Sequence, residues 1–282
     1  MSKISKTLLE TTLLTRRSAL AAFAVAAVAL SAFPAPGPAL AEDKKELKVG
    51  IISGEDEDVW RVVTSEAAKN GLTIETVVFN DYTQPNEALA RGEIDANAFQ
   101  HLPYLENQVK THGYKIVPVG YTAVWPIGLY SKKHAKVADL PDGAVIGVPN
   151  DPSNEGRALR VLENEGLIKL KEGTGILATI ADIAENPKNI EIKELDAGIV
   201  GRSVDDLDAA IVNTDWALKS SLTPENRIAQ EPVEDNPYRN FIAVREESKD
   251  EPWVKPLVAA YQNDAVKAEF DRVYKGTGIS AY

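Results

Sequence analysis

From Leu47 onward, short apolar runs rich in β-branched residues alternate with stretches whose apolar residues recur at helical spacing. That alternation predicts an α/β chain with mostly parallel strands. Leu47 to Ser53 reads as a strand. Glu55 to Lys69 places Val59, Trp60, Val63 and Ala67 on one face and closes on Asn70-Gly71, a helix with a left-handed cap. Thr73 to Phe79 is a second strand. Thr83 can cap a helix running to Arg91, with Pro85 in its first turn and Gly92 past its end. Ile94 to Phe99 is a third strand.

The scheme then repeats. Ala144 to Val148 reads as a strand, Asn150 to Glu165 as a loop and helix, Ile190 to Leu195 as a strand, Ser203 as the start of a short helix, and Asp208 to Asn213 as a strand. Val49-Gly50-Ile51 answers Ile146-Gly147-Val148, and Ile94-Asp95-Ala96 answers Leu207-Asp208-Ala209. Between the halves, Tyr121 to Ser131 is extended and aromatic. Tyr238 to Arg245 is a further strand, followed by a helical C-terminus. These patterns predict two similar βαβ lobes joined by a hinge of two strands: 42–133 as the first part of lobe one, 134–231 as lobe two, and 232–282 returning to lobe one. A cleft between such lobes is the natural ligand site. No fixed period of 20–50 residues runs along the chain, which argues against a solenoid or propeller.

Residues 1–41 follow other rules. Lys3, Lys6, Arg16 and Arg17 precede an apolar run from Ala19 to Phe33, then prolines and the small-residue pattern Ala39-Leu40-Ala41. The run falls short of the ~20 residues a spanning helix needs, so the segment reads as an export signal. Arg16-Arg17 points to the twin-arginine route, with general secretion the alternative. Without this segment, 27 Lys+Arg stand against 41 Asp+Glu, moving the net charge from −11 to −14. Nucleic acid and anionic membrane surfaces are poor partners for so acidic a chain. Cysteine is absent and Met1 is the one methionine. The lack of cysteine excludes disulfides, thiolate metal sites and acylation of an N-terminal cysteine. Sulfur economy, resistance to oxidation and compositional chance each account for so little sulfur.

The catalytic inventory is thin. There is no phosphate loop, nucleophile elbow or dinucleotide fingerprint, and His101, His112 and His134 lack metal-ligand spacing. Acidic pairs such as Asp56/Asp58 and Asp205/Asp206 read as helix starts or solvated faces. The predicted chain is therefore a binder with no cofactor and no metal, and not an enzyme. Strand carboxyl ends carry the candidate chemistry. In lobe one these are Tyr82, Phe99, His101 and Tyr104, an aromatic rim suited to a thioether, although Phe79 and Phe99 fit a core equally well. In lobe two, Pro149 to Arg157 leads into a helix that Asp151 or Ser153 can cap, with N–H groups free for an anion. Asn154 and Arg157 share one face of it. Arg157 can grip a carboxylate with two parallel bonds, or pair on the surface with Glu155 or Asp151. Asn213 and Asn240 can accept from an ammonium group, or serve as turn residues.

Several segments in order resemble the NlpA/MetQ family of methionine-binding proteins of ABC importers: Phe79-Asn80-Asp81-Tyr82, Pro85-Asn86-Glu87-Ala88-Leu89, Ile94 to His101, Val148 to Arg157, and Glu185-Asn186-Pro187-Lys188-Asn189. The resemblance implies a two-lobed type II periplasmic-binding-protein fold that captures L-methionine, with D-methionine, a methionine dipeptide or another apolar amino acid as alternatives. By position it implies Tyr82, Phe99, His101 and Tyr104 as the aromatic wall, Asn154 and Arg157 as the carboxylate clamp, and Asn213 and Asn240 at the amino end. Trp125 stands where the family often has another aromatic. The implied partners are an ABC permease and its ATPase, met by a periplasmic monomer. Family members are commonly lipoproteins; a chain without cysteine is expected to carry no lipid anchor. A ligand-sensing module or an enzyme on the same scaffold are the readings from other classes.

Overall fold

The computed structural model describes residues 44–282; the expected export signal at 1–41 lies outside them. In chain order the elements are β1 (Glu46–Ile52), α1 (Glu55–Lys69), β2 (Thr73–Phe79), α2 (Gln84–Arg91), β3 (Ala96–His101), α3 (Leu102–His112) and β4 (Ile116–Tyr121). Short strands β5 (Ala123–Val124) and β6 (Gly128–Tyr130) lead to β7 (Val145–Pro149), α4 (Pro152–Asn164), β8 (Lys169–Leu170), β9 (Ile183–Glu185) and β10 (Glu191–Leu195). Then come α5 (Ala197–Val200), β11 (Ala209–Val212), α6 (Thr214–Lys219) and β12 (Arg227–Gln230). The last elements are β13 (Asn240–Arg245), α7 (Val254–Tyr261), α8 (Asp264–Tyr274) and β14 (Ile279–Ser280).

The main strands form two five-stranded sheets of the same design, β2-β1-β3-β13-β4 and β10-β7-β11-β6-β12. In each, three parallel strands meet an antiparallel fourth, which pairs in turn with an antiparallel fifth. The fourth strands are β13 and β6, the two that flank the chain's passages between sheets. The first sheet therefore receives a strand from beyond the second. Lobe two starts earlier than residue 134: β6 hydrogen-bonds β11 and β12, so the passage falls at 122–127. Tyr121 to Ser131 looked like one extended segment because its aliphatic residues serve two different sheets.

The repeated motifs have structural causes. A Cβ on Gly50 would sit 2.7 Å from Ile94 Cδ1, and one on Gly147 would sit 2.7 Å from Leu207 Cδ1. Each glycine lets the residue before its lobe's third strand close over the central strand. The aspartates of the paired Ile-Asp-Ala and Leu-Asp-Ala runs do equivalent work: Asp95 Oδ2 accepts from Lys48 N at 2.9 Å, and Asp208 Oδ2 from Val145 N at 2.8 Å. Both satisfy an amide near the start of the central strand. A buried amide network holds α2 to β3. Asn86 and Gln100 exchange two hydrogen bonds of 2.7 Å, and Asn97 Nδ2 donates to Asn86 Oδ1 at 2.9 Å.

Each sheet has its own core. Val59, Trp60 and Val63 of α1 pack with Val49, Ile51, Leu257, Tyr261 and Phe270. Burying side chains of this size contributes about 1.5–3 kcal/mol each, which explains why the C-terminal helices close on the first sheet. Ile146, Val148, Leu159, Leu162 and Ile211 form the second core. A third cluster joins the lobes, with Ile52, Phe99 and Tyr104 from one side and Val200, Val212 and Trp216 from the other. The structure is therefore a closed form.

Candidate ligand-binding site

The carboxyl ends of β1, β3, β7 and β11 face one another across the closed cleft. Residues at or after these ends, with Tyr82 from the loop after β2 and Asn240 from the start of β13, line a single cavity that includes Tyr82, Phe99, His101, Tyr104, Asn154, Arg157, Asn213 and Asn240. All eight predicted residues are thus brought together. Ile52, Asp56, Gln100, Trp125, Thr214, Asp215 and Tyr274 complete the lining. The atom-free space among them, mouth included, is about 540 Å³.

One wall is aromatic. Tyr82 lies 6.0 Å from Phe99 and 5.6 Å from Trp216 between ring centroids, and Phe99 meets Tyr104 edge-on at 5.8 Å. Tyr104 Oη donates to the Tyr82 backbone carbonyl at 2.7 Å, fixing the Tyr104 ring. Such a wall takes a thioether through sulfur–ring contacts.

The polar wall turns on His101, which ends β3 and caps α3 with no loop between. Its Nδ1 accepts from Tyr104 N at 3.2 Å, so the proton belongs on Nε2, which lies 3.3 Å from Asn154 Oδ1. Burial, seconded by the Arg157 charge, pushes the His101 pKa down to about 3, so the ring is neutral at ordinary pH. Asn154 Oδ1 also accepts from Asn213 Nδ2 at 3.0 Å, while its Nδ2 donates to Asp151 Oδ2 at 2.8 Å. Asp151 is the cap of α4, with Asn154 N donating to its Oδ1 at 3.0 Å. Part of the helix terminus expected to be free for a ligand anion is thereby occupied by the protein's own carboxylate.

Arg157 departs further from expectation. It is neither a surface residue nor paired with Glu155 or Asp151; it is 3% exposed and bonded to Glu231. Nε donates to Glu231 Oε2 at 2.8 Å, and Nη2 donates to Oε1 and to Trp125 O. The guanidinium also stacks 4.3 Å over the Tyr238 ring. Its paired-bond edge is spent, so a ligand carboxylate can take Nη1 but not the two-bond grip the sequence suggested. Glu231 was missed because it is 74 residues from Arg157 and carries no local signal.

Asn213 and Asn240 add further polar groups to the lining. Asn240 Nδ2 donates to Phe99 O at 2.9 Å, leaving its Oδ1 for a ligand. Asn213 is 8% exposed, and its Oδ1 is buried without a hydrogen-bond partner. Trp125 Nε1 is likewise unpartnered. An unsatisfied buried polar atom costs about 1–3 kcal/mol, and a ligand offering both a donor and an acceptor relieves that cost. Asp56, which read as an ordinary helix-start or surface acid, and Asp215, which the sequence did not single out, also line this cavity. Among the described residues, no group of three or more His, Asp or Glu is arranged to hold a metal ion.

Comparison with known proteins places this geometry. The model of the NlpA lipoprotein family matches residues 47–282. The chain belongs to that family. A D-methionine-binding lipoprotein MetQ of Escherichia coli O157:H7 is 48% identical over 244 residues, covering 86% of this chain and 90% of that one. Among solved structures of similar proteins, a nutrient-binding protein of Burkholderia cenocepacia bound to methionine is 51% identical with a TM-score of 0.82, covering 84% and 100% of the two chains. A periplasmic substrate-binding protein of an ABC transporter from Coxiella burnetii is 45% identical with a TM-score of 0.80, covering 83% and 100%. The two-lobed NlpA-family architecture expected from sequence is thus the one observed.

Proposed function

We propose that this chain is the substrate-binding protein of an ABC importer and captures methionine between its lobes, preferring the L form. The observation that carries the reading is the split lining of one closed cavity: the Tyr82–Phe99–Tyr104 wall for the thioether, and unspent polar atoms of Arg157, Asn213 and Asn240 for the amino-acid head. D-Methionine stands as the second reading, because similar proteins bear that ligand in their names. In this account the closed form docks on a membrane permease whose ATPase subunits drive import.

Export rests on the pattern of residues 1–41, read as a cleaved signal that delivers the mature chain to the periplasm. Relatives are named lipoproteins; the 282 residues here contain no cysteine to carry a thioether-linked lipid, and we infer delivery without that anchor. Cell fractionation tests this point, since release by osmotic shock supports it and retention with membranes opposes it. The site itself is tested by titration calorimetry of refolded protein with both methionine enantiomers. Arg157→Ala should weaken methionine by about 10- to 100-fold, the worth of a charge-assisted hydrogen bond. Unchanged affinity would remove Arg157 from the site.

A further inference from the structure

Asp56 is the second residue of α1 and Asp215 the second of α6, so each belongs to a different lobe and both line the cleft. Neither carboxylate is ion-paired within the described residues. Asp215 accepts only the Tyr82 hydroxyl from a side chain, at 2.7 and 2.8 Å, and Asp56 accepts the Tyr274 hydroxyl at 2.8 Å. The nearby cation, Lys219, is otherwise engaged: its Nζ donates to Ser53 Oγ at 2.7 Å and lies 4.0 Å over the Trp216 ring. Arg157, the other cation of the cleft, is already neutralised by Glu231. The cavity thus holds two carboxyl groups to which the protein itself gives no ion-pair partner. Burial answers by pushing the Asp56 pKa up to about 7 and raising that of Asp215 as well.

A separate observation points the same way. Asn213, two residues before Asp215, lines the cavity and is more than nine-tenths buried, and its one unpartnered polar atom is an acceptor, Oδ1. Two carboxylates and an orphaned carbonyl oxygen are an acceptor set that a primary ammonium, with three donors and one positive charge, satisfies. A ligand carboxylate would meet two donors, Arg157 Nη1 and the unpartnered Trp125 Nε1, together with the repulsion of both acids.

From this arrangement we propose that Asp56 and Asp215 form an ammonium subsite, which makes a positively charged amino group the feature of the ligand that the cleft selects. The inference deepens the methionine reading and rests on it. It ranks ligand classes in an order that the thioether wall alone does not: free amines with or without a carboxylate are accepted, and deaminated acids are rejected.

Three probes of equal length separate the terms: L-methionine, its α-hydroxy acid analogue, and L-methioninamide. Titration calorimetry of the refolded full chain should show the hydroxy acid binding about 10- to 100-fold more weakly than methionine, the worth of charge-assisted bonding, with the amide retained. Asp215→Asn, which keeps an acceptor for Tyr82, should weaken methionine and the amide together and leave the hydroxy acid nearly unchanged, collapsing the ratio. Asp56→Asn gives a second variant should the first fold poorly, as thermal melting will show. If methionine binds but the ratio survives in folded variants, the subsite is overturned and the function stands. If wild type binds no thioether ligand, the function reading falls and the subsite with it.

Discussion

In Glu231→Ala, three donors lose their acceptor at once. Arg157 Nε at 2.8 Å, Arg157 Nη2, and Ile127 N at 3.1 Å all bond the Glu231 carboxylate. Glu231 is 6% exposed and Arg157 3%, so water cannot readily replace it. The truncated protein keeps Trp125 O and the Tyr238 ring as partners for a guanidinium that is now an uncompensated buried charge. Breaking a buried pair from one side costs about 3–5 kcal/mol. At about 2–4 °C per kcal/mol for a chain of this size, the melting temperature should fall by roughly 6–20 °C. Replacing both residues by leucine should cost less than Glu231→Ala alone, since no stranded charge remains. Urea and thermal unfolding of the single and double variants decide the matter. A loss below about 1 kcal/mol in Glu231→Ala, the range of a surface pair, would refute the reasoning. So would additivity between the two sites.

Two further predictions use the same assays. Gly156 packs α4 against the loop ahead of β9, and a Cβ there would overlap the Ile176 carbonyl oxygen and sit 2.8 Å from Ala178 N. Because the obstacle is backbone, Gly156→Ala should cost about 1–3 kcal/mol in urea unfolding; an unchanged midpoint would contradict the packing. His101 and Asp56 give opposed pH dependences. His101, held neutral with a pKa near 3 against 6.5 unfolded, contributes stability above pH 6.5 that is lost as pH falls. Asp56, raised to about 7 from 3.8, contributes stability below pH 3.8 that is lost as pH rises to 7. Between these limits the slopes oppose each other. His101→Asn, which keeps a cap for α3, should make stability fall more steeply as pH rises from 4 to 6.5, by about 1.4 kcal/mol per unit. An unaltered slope would show that the buried ring is not held neutral.

The sequence was most legible where period and capping agree. α1, β2 and α2 fall where their apolar spacing, Pro85 and Gly92 put them. β1, β7 and β11 are displaced by only a residue or so at either end, as hydrogen bonding rather than composition sets strand ends. The strand predicted at Ile94 to Phe99 slides to Ala96–His101 because Asp95 is bound to the Lys48 amide. α3 escaped because β3 passes straight into it, so His101 and Tyr104 read as a loop rim. At the site, the rule that ligands meet strand carboxyl ends led to seven of the eight predicted residues that share the cavity, whereas Asn240 opens β13 and was picked from its place on the return strand. The same rule applied to Asp56 after β1 and to Asp215 after β11 would have found the acidic end; a helix-start reading supplied a sufficient local reason for Asp56, and Asp215 drew no reading at all. Glu231 offered no such clue. Its role exists only once β12 brings it beside α4, a tertiary fact that no spacing encodes.

Methionine capture by the closed cleft is the central claim, and a thermal-melting panel on protein unfolded and refolded to strip bound ligand tests it most directly. At 1,000 times its dissociation constant a ligand stabilises by about 4 kcal/mol, roughly 8–16 °C here. The account predicts a shift of that size with L-methionine and little with leucine. No shift with either methionine enantiomer, or an equal shift with leucine, would contradict it.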